Sequence, residues 1–199
     1  NSCNTYSKII NIGCVNCIYN CHLKPHISQL MNKHTNICLN VILDHSRHLL
    51  NRLHDNSIDV CFSYLATNEI SYKCIPYKTD EIIFVTNSQN IQFSNGIHNG
   101  EILHLPIIYS KFMPKSGFDW IHDIFPPHYV FQFTISVIKE IIPFLLQYPY
   151  YAFLPRKLIE KELKDGLLIE IPLLDYHIPP LQSYIIMKSN AKYNPLDYF

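Results

Sequence analysis

Apolar and polar positions follow two periods along this chain. Ile9 to Val15 is a short apolar run ending at a turn, which predicts a buried strand. From Asn20 to His34 the apolar residues Leu23, Ile27, Leu30 and Met31 return at steps of three and four, the spacing of an amphipathic helix. Ile37 to Leu43 alternates as a strand does, and Asp44 and Ser46 stand where caps belong, ahead of a helix carrying Leu49, Leu50 and Leu53. Asn56 is suited to end that helix in the left-handed region before a strand from Ile58 to Tyr64. Helices of this length between successive strands force right-handed crossovers and a parallel sheet, so the first third predicts a Rossmann-like lobe.

The alternation resumes after an interruption. Glu81 to Thr86 predicts a strand, and the polar, glycine-containing stretch Asn87 to Gly100 breaks the core pattern at the passage into a second lobe. Beyond it come a strand at Pro106 to Ser110, a helix near Gly117 to Phe125, a strand at Tyr129 to Phe133 and a helix from Ser136 to Leu146. The apolar segment Tyr151 to Leu154, a helix at Arg156 to Lys164 and a strand at Leu167 to Ile171 continue the series. Ser183 to Met187 is a further apolar strand, and Asn194-Pro195 opens a last helix. The expected fold class is α/β with two Rossmann-like lobes joined by two crossover segments: residues 1–84 with 185–199, and residues 85–184. Two such lobes leave a cleft, and ligands bind outside the carboxyl ends of parallel strands. The sequence contains no internal repeat and no low-complexity segment.

Composition narrows the function classes. An apolar share of 48% excludes disorder, and 16 basic residues balanced by 16 acidic ones leave no net field to draw the chain to nucleic acid or an anionic membrane. Runs such as Ile141 to Leu146 fall far short of the roughly 20 residues that span a bilayer. The amino end, Asn-Ser-Cys-Asn-Thr-Tyr-Ser-Lys, lacks the basic-then-apolar signature of a secretion signal. All seven cysteines lie in the first 74 residues, several inside apolar runs such as Val60-Cys61-Phe62. That usage points to reduced thiols in a cytoplasmic protein rather than a disulfide framework.

Catalytic and metal motifs are weak. Cys14, Cys17, Cys21 and His22 contain half of a zinc signature, but no second Cys or His pair follows at finger-like spacing, and strand geometry sends Cys14 and Cys17 to different sides. No metal or cofactor is expected, and a redox role for Cys17 is a minor reading. The 11 histidines are scattered; His45, His48 and Asp55 fit one solvated helix face. No G-x-S-x-G elbow, phosphate loop or H-E-x-x-H occurs, so an enzyme lacks nucleophile, base and cofactor site.

Five markers in order carry a resemblance. They are Ile12-Gly13 followed by Leu23 and Pro25; the run Leu49 to Val60; Glu81-Ile82-Ile83-Phe84-Val85; Leu105-Pro106-Ile107-Ile108-Tyr109; and Ala152-Phe153-Leu154-Pro155 with Gly166-Leu167-Leu168. From about Lys8 to Asn194 the chain resembles the effector-binding domain of LysR-type transcriptional regulators, which have the type II periplasmic-binding-protein fold. It departs from the family pattern at Asn56, where glycine is usual, and at Tyr148-Pro149-Tyr150-Tyr151, where two glycines are usual. Bulky residues there are expected to reshape or fill one wall of the cleft.

The resemblance implies a pocket lined by Val15, Asn16, Cys17 and Ile18 after the first strand, Asp44, His45 and Ser46 after the second, and Ser63 and Tyr64 after the third. From the second lobe it implies Tyr109, Ser110 and Lys111, with Ile135, Ser136 and Val137 at a helix start. Asp44 and Ser136 read equally well as helix caps. The rings of Tyr148, Tyr150, Tyr151 and Phe153 suit a flat ligand or plain packing equally. The implied function is effector sensing: a small molecule bridges both lobes and changes how a dimer, or a tetramer of the full-length protein, presents its DNA-reading helix-turn-helix. That DNA-binding domain is expected to lie outside this chain, and the dimer to form through the helix Leu23 to His34 and the strand Ile37 to Leu43. An exported solute-binding protein of the same fold is the runner-up; a helix-turn-helix encoded upstream of Asn1 or a signal sequence separates the two. A third reading, a dehydratase using the cleft, needs a titratable group of perturbed pKa, for which Asp44 and Lys111 are the candidates.

Overall fold

A computed structural model describes residues 6–110, 119–191 and 194–198. The chain forms two compact units, Asn1–Lys78 with Gln182–Phe199, and Thr79–Leu181.

In the first unit, β1 (Lys8–Cys14) is an interior strand. It pairs in parallel with β2 (Ile37–Leu43) and with β3 (Val60–Ser63), giving a five-stranded sheet of order β2-β1-β3-β10-β4 with β4 (Tyr72–Asp80) and β10 (Leu181–Lys188). β10 runs antiparallel to β3. A helical run joins β1 to β2: α1 (Asn16–Ile18), a π turn (Tyr19–Leu23) and α2 (Lys24–Lys33). It begins four residues earlier than periodicity indicates, because the π turn shifts the apolar phase. The second crossover is α3 (Ser46–His54), whose buried Leu49 and Leu53 pack with Ile58, Cys61 and Ile186. Each such leucine withdrawn from water contributes about 2 kcal/mol.

Two details lock this unit. Asn56 takes φ 64°, Ser57 N–H donates to Arg52 C=O at 2.9 Å, and Asn56 N–H donates to Leu53 C=O at 3.4 Å. That paired closure of the last carbonyls is the stop expected of Asn56. On β10, the Ser183 hydroxyl accepts the Lys78 N–H at 3.2 Å and donates to the Lys78 C=O at 3.1 Å, tying the outgoing and returning strands.

In the second unit, β5 (Ile82–Asn87) is antiparallel to both β8 (Tyr151–Pro155) and β9 (Leu168–Glu170). β6 (Ile108–Ser110) and β7 (Phe133–Ile135) form a parallel pair, linked to β8 through a parallel bridge between Ile107 and Tyr151. Short helices connect them: α4 (Asn99–Ile102), α5 (Ile121–Ile124), a 3-10 turn (Ile138–Ile141) leading into α6 (Ile142–Gln147), and α7 (Glu160–Lys164) after a further 3-10 turn. The core holds Phe84 stacked on Tyr151 at 5.4 Å and against Phe153 at 4.6 Å, with the Trp120 ring edge-on to Phe153.

Three expectations change. The strand expected at Tyr129 to Phe133 is β7 at Phe133–Ile135, because Tyr129 and Phe131 turn their rings onto Phe125 instead of entering a ladder. The single helix expected from Ser136 is a 3-10 turn running into α6, with Pro143 within the first helical positions, where its missing N–H costs nothing. The last helix is a 3-10 turn, Pro195–Tyr198.

Candidate functional site

The carboxyl ends of three parallel strands lie level in the first unit. Cys14 stands opposite Leu43 on one side and Phe62 on the other. The departing segments are tied together: Val15 N–H donates to Phe62 C=O at 3.1 Å, Asp44 N–H to Cys14 C=O at 3.2 Å, and Tyr64 N–H to the Ser46 hydroxyl at 3.2 Å. Val15 and Asn16, Asp44 to Ser46, and Ser63 with Tyr64 are thus gathered at one end of one sheet.

Their side chains differ in what they offer. Val15 and Asn16 are half-buried, and no side chain caps the first turn at Val15. The Asn16 carboxamide oxygen accepts from the Asn20 amide at 3.1 Å. Cys17 and Ile18 are buried, with the Cys17 and Cys21 sulfurs 4.0 Å apart. The Ser63 hydroxyl is closed on its own loop, donating to Leu65 C=O at 3.0 Å and accepting Leu65 N–H at 2.9 Å. Burial pushes the Cys14 thiol well above its ordinary value, with the Cys61 and Cys17 thiols adding to the effect.

Asp44 and Ser46 do not cap α3. The capping position is His45, which makes no side-chain cap bond, and Ser46 is the first helical residue. Asp44 instead accepts the His45 N–H at 2.7 Å and lies 3.1 Å from His48 Nδ1 and 3.9 Å from Arg52 Nε. Burial alone would raise its carboxyl, but the His45 N–H and the His48 ring outweigh burial and hold it below its ordinary value. A cleft acid for dehydration needs a shift in the opposite direction. The partners His48 and Arg52 escape sequence reading because they come from the next turns of α3; a one-turn spacing from Asp44 was the available signal for His48.

In the second unit Ser110 stands opposite Ile135 across the parallel β6–β7 pair, and its hydroxyl donates to Ser136 C=O at 3.4 Å. Tyr109 stacks on Phe131 with ring centres 4.4 Å apart, a contact that spacing did not indicate, and burial raises its phenol above the ordinary value. Ile135 is the last residue of β7, and the following turn is capped at Val137 without a side-chain bond, so Ser136 is an exposed linker residue and not the cap. Lys111 lies outside the described residues.

Tyr151 and Phe153 belong to the core, whereas Tyr148 is exposed. Tyr151 pairs with Thr86 and Pro155 with Ile82, while Ile107 meets Tyr151 in parallel. Tyr148 to Tyr150 therefore sit at the opposite end of this unit's strands from Ser110 and Ile135, and do not wall the strand-end site of this unit.

Among the described residues no group of three or more His, Cys, Asp or Glu is placed to hold a metal, and no helix is long and apolar enough to cross a membrane.

Comparison with curated proteins gives no match. Solved structures do match in fold. The chain overlays the Corynebacterium glutamicum OxyR C206 mutant with a TM-score of 0.71 at 16% identity, covering 96% of this chain and 61% of that one. It overlays the BenM effector binding domain with its effector benzoate at 0.69 and 16% identity, covering 96% and 88%. The CrgA regulatory domain of Neisseria meningitidis, a LysR-type transcriptional regulator, gives 0.76 at 11% identity, covering 94% and 92%. The chain spans only 61% of that OxyR chain and 65% of full-length BenM. At the level of sequence, the model of the LysR substrate binding domain matches residues 4–196. Five ordered markers, level strand ends and this end-to-end match establish that the chain belongs to the LysR substrate binding domain family.

Proposed function

We propose that this chain is the effector-sensing part of a LysR-type transcriptional regulator acting in the cytoplasm, with no chemistry of its own. A small molecule held at parallel strand ends favours one of two pre-existing states of the domain, and a dimer relays that preference to a DNA-binding domain carried elsewhere in the full-length protein. The observation that carries this reading is the level arrangement of Cys14, Leu43 and Phe62, which collects Val15, Asn16, His45 and Tyr64 where ligands of parallel sheets bind. The match to the regulator family favours this reading over an exported solute-binding protein. Dimerisation through α2 and β2 is supported by the exposure of Met31 and Leu43 on those elements.

A thermal-shift screen of small metabolites, aromatic carboxylates such as benzoate included, tests the site. A true effector at about 100 times its Kd stabilises the chain by about 2.7 kcal/mol, several degrees in Tm. Asn16→Ala and Ser136→Ala are each expected to shrink that shift. Hits indifferent to both substitutions would place the effector elsewhere.

A further inference from the structure

The second unit carries a cleft that the strand-end site does not use. It measures about 230 Å³ and is lined by Asn87, Gln89, Asn90, Gln147, Tyr148 and Pro149. It lies where β5 ends and α6 stops, at the opposite end of the strands from Ser110 and Ile135. From this lining we propose that the cleft is a binding site for a neutral, hydroxyl-rich ring, a monosaccharide or cyclitol, separate from the effector site.

The floor is fixed before any ligand arrives. The Asn87 amide donates to Leu145 C=O at 3.1 Å and to Leu146 C=O at 2.9 Å, and its carbonyl accepts the Gln89 N–H at 2.9 Å. The Asn90 amide donates to the Thr86 hydroxyl at 3.0 Å, which in turn donates to Tyr150 C=O at 2.8 Å. These bonds spend Asn87 and Asn90 on shape. Gln89 and Gln147 are exposed, and their side-chain amides make no hydrogen bond among the described residues. Beside them Tyr148 is 51% exposed, with the Tyr150 ring edge-on to its own at a centre distance of 6.2 Å.

That inventory selects a ligand class. None of the six lining side chains is charged, so neither a carboxylate nor an ammonium group finds a counter-charge. Each free glutamine presents a donor and an acceptor together, which matches vicinal hydroxyl groups, since each of these also donates and accepts. The tyrosine and proline rings supply an apolar bed for the C–H face of a saturated ring. The volume falls below the usual 300–1,000 Å³ range of drug-sized pockets, which suits a single ring better than a larger ligand.

Amide chemical shifts of the full 199-residue chain, titrated with D-glucose, D-galactose, myo-inositol and benzoate, test the assignment. At least one neutral probe is expected to give saturable shifts confined to residues 87–90 and 147–150. Gln89→Ala and Gln147→Ala are each expected to weaken it about fivefold, the loss of one neutral hydrogen bond. Tyr148→Ala removes the bed and weakens binding further, while Tyr148→Phe keeps it. The proposal is overturned if no neutral probe shifts this segment saturably, if benzoate binds there more tightly than all three, or if both glutamine substitutions leave affinity unchanged.

Discussion

Asn56 and Cys61 show how single residues set the stability of the first unit. Asn56 holds φ 64°, a conformation that costs most side chains about 1 kcal/mol, and its carboxamide oxygen accepts from Lys188 Nζ at 2.6 Å. Asn56→Ala is expected to lower the unfolding free energy by about 1 kcal/mol in urea denaturation, and Asn56→Gly by less, since glycine recovers the backbone freedom. Cys61 is buried, and burial, with a smaller contribution from Cys74, pushes its thiol up to about 12 from an ordinary 9.0. The unfolded thiol releases its proton near 9 while the folded one keeps it, so the folded state binds more protons across that window. Stability is complete below the unfolded value and falls as pH rises from about 9 towards about 12. Measured against pH, unfolding of Cys61→Ala should start from a lower plateau but decline less steeply.

Between elements, α3 and the segment that follows it pack closely against β1 at Gly13. A Cβ placed there would meet Ile58 Cδ1 at 2.5 Å and Leu49 Cδ2 at 2.8 Å, so the ends of both buried side chains must shift. Gly13→Ala is expected to cost about 1–3 kcal/mol by overpacking, readable as a drop in Tm. The same elements explain what could be read from sequence. β1, β2 and α3 follow from uninterrupted apolar periods, and Asn56 from its position after the last leucine of α3. β4 escaped because Tyr72 to Asp80 mixes exposed Lys73 and Lys78 with Pro76, which an edge strand tolerates and a central one does not. The strand-end positions of the site were legible, since they follow from where strands stop. What their side chains do was not. Asp44 is claimed by groups on α3, Ser63 by its own loop, and Ser136 stands one residue short of the cap. The cleft at Gln89 and Gln147 was invisible in sequence because two segments far apart along the chain build it.

For the whole chain, the proposed dimer makes a claim about concentration. Sedimentation of the chain at micromolar concentration should show a dimer, and Met31→Glu with Leu43→Lys should shift it to monomer while leaving circular dichroism unchanged. A second claim follows from the Ser183 hydroxyl, which grips both backbone groups of Lys78. The chain enters the second unit after Lys78 and returns at Gln182, so that unit is one uninterrupted stretch whose two ends are neighbours. Topologically it is a cassette. Replacing Thr79–Leu181 by a short glycine bridge should leave the first unit able to fold, and the excised stretch should be expressible by itself or, with its ends joined, as a circular permutant. A lineage could therefore exchange one cassette for another without rebuilding the sheet that receives it.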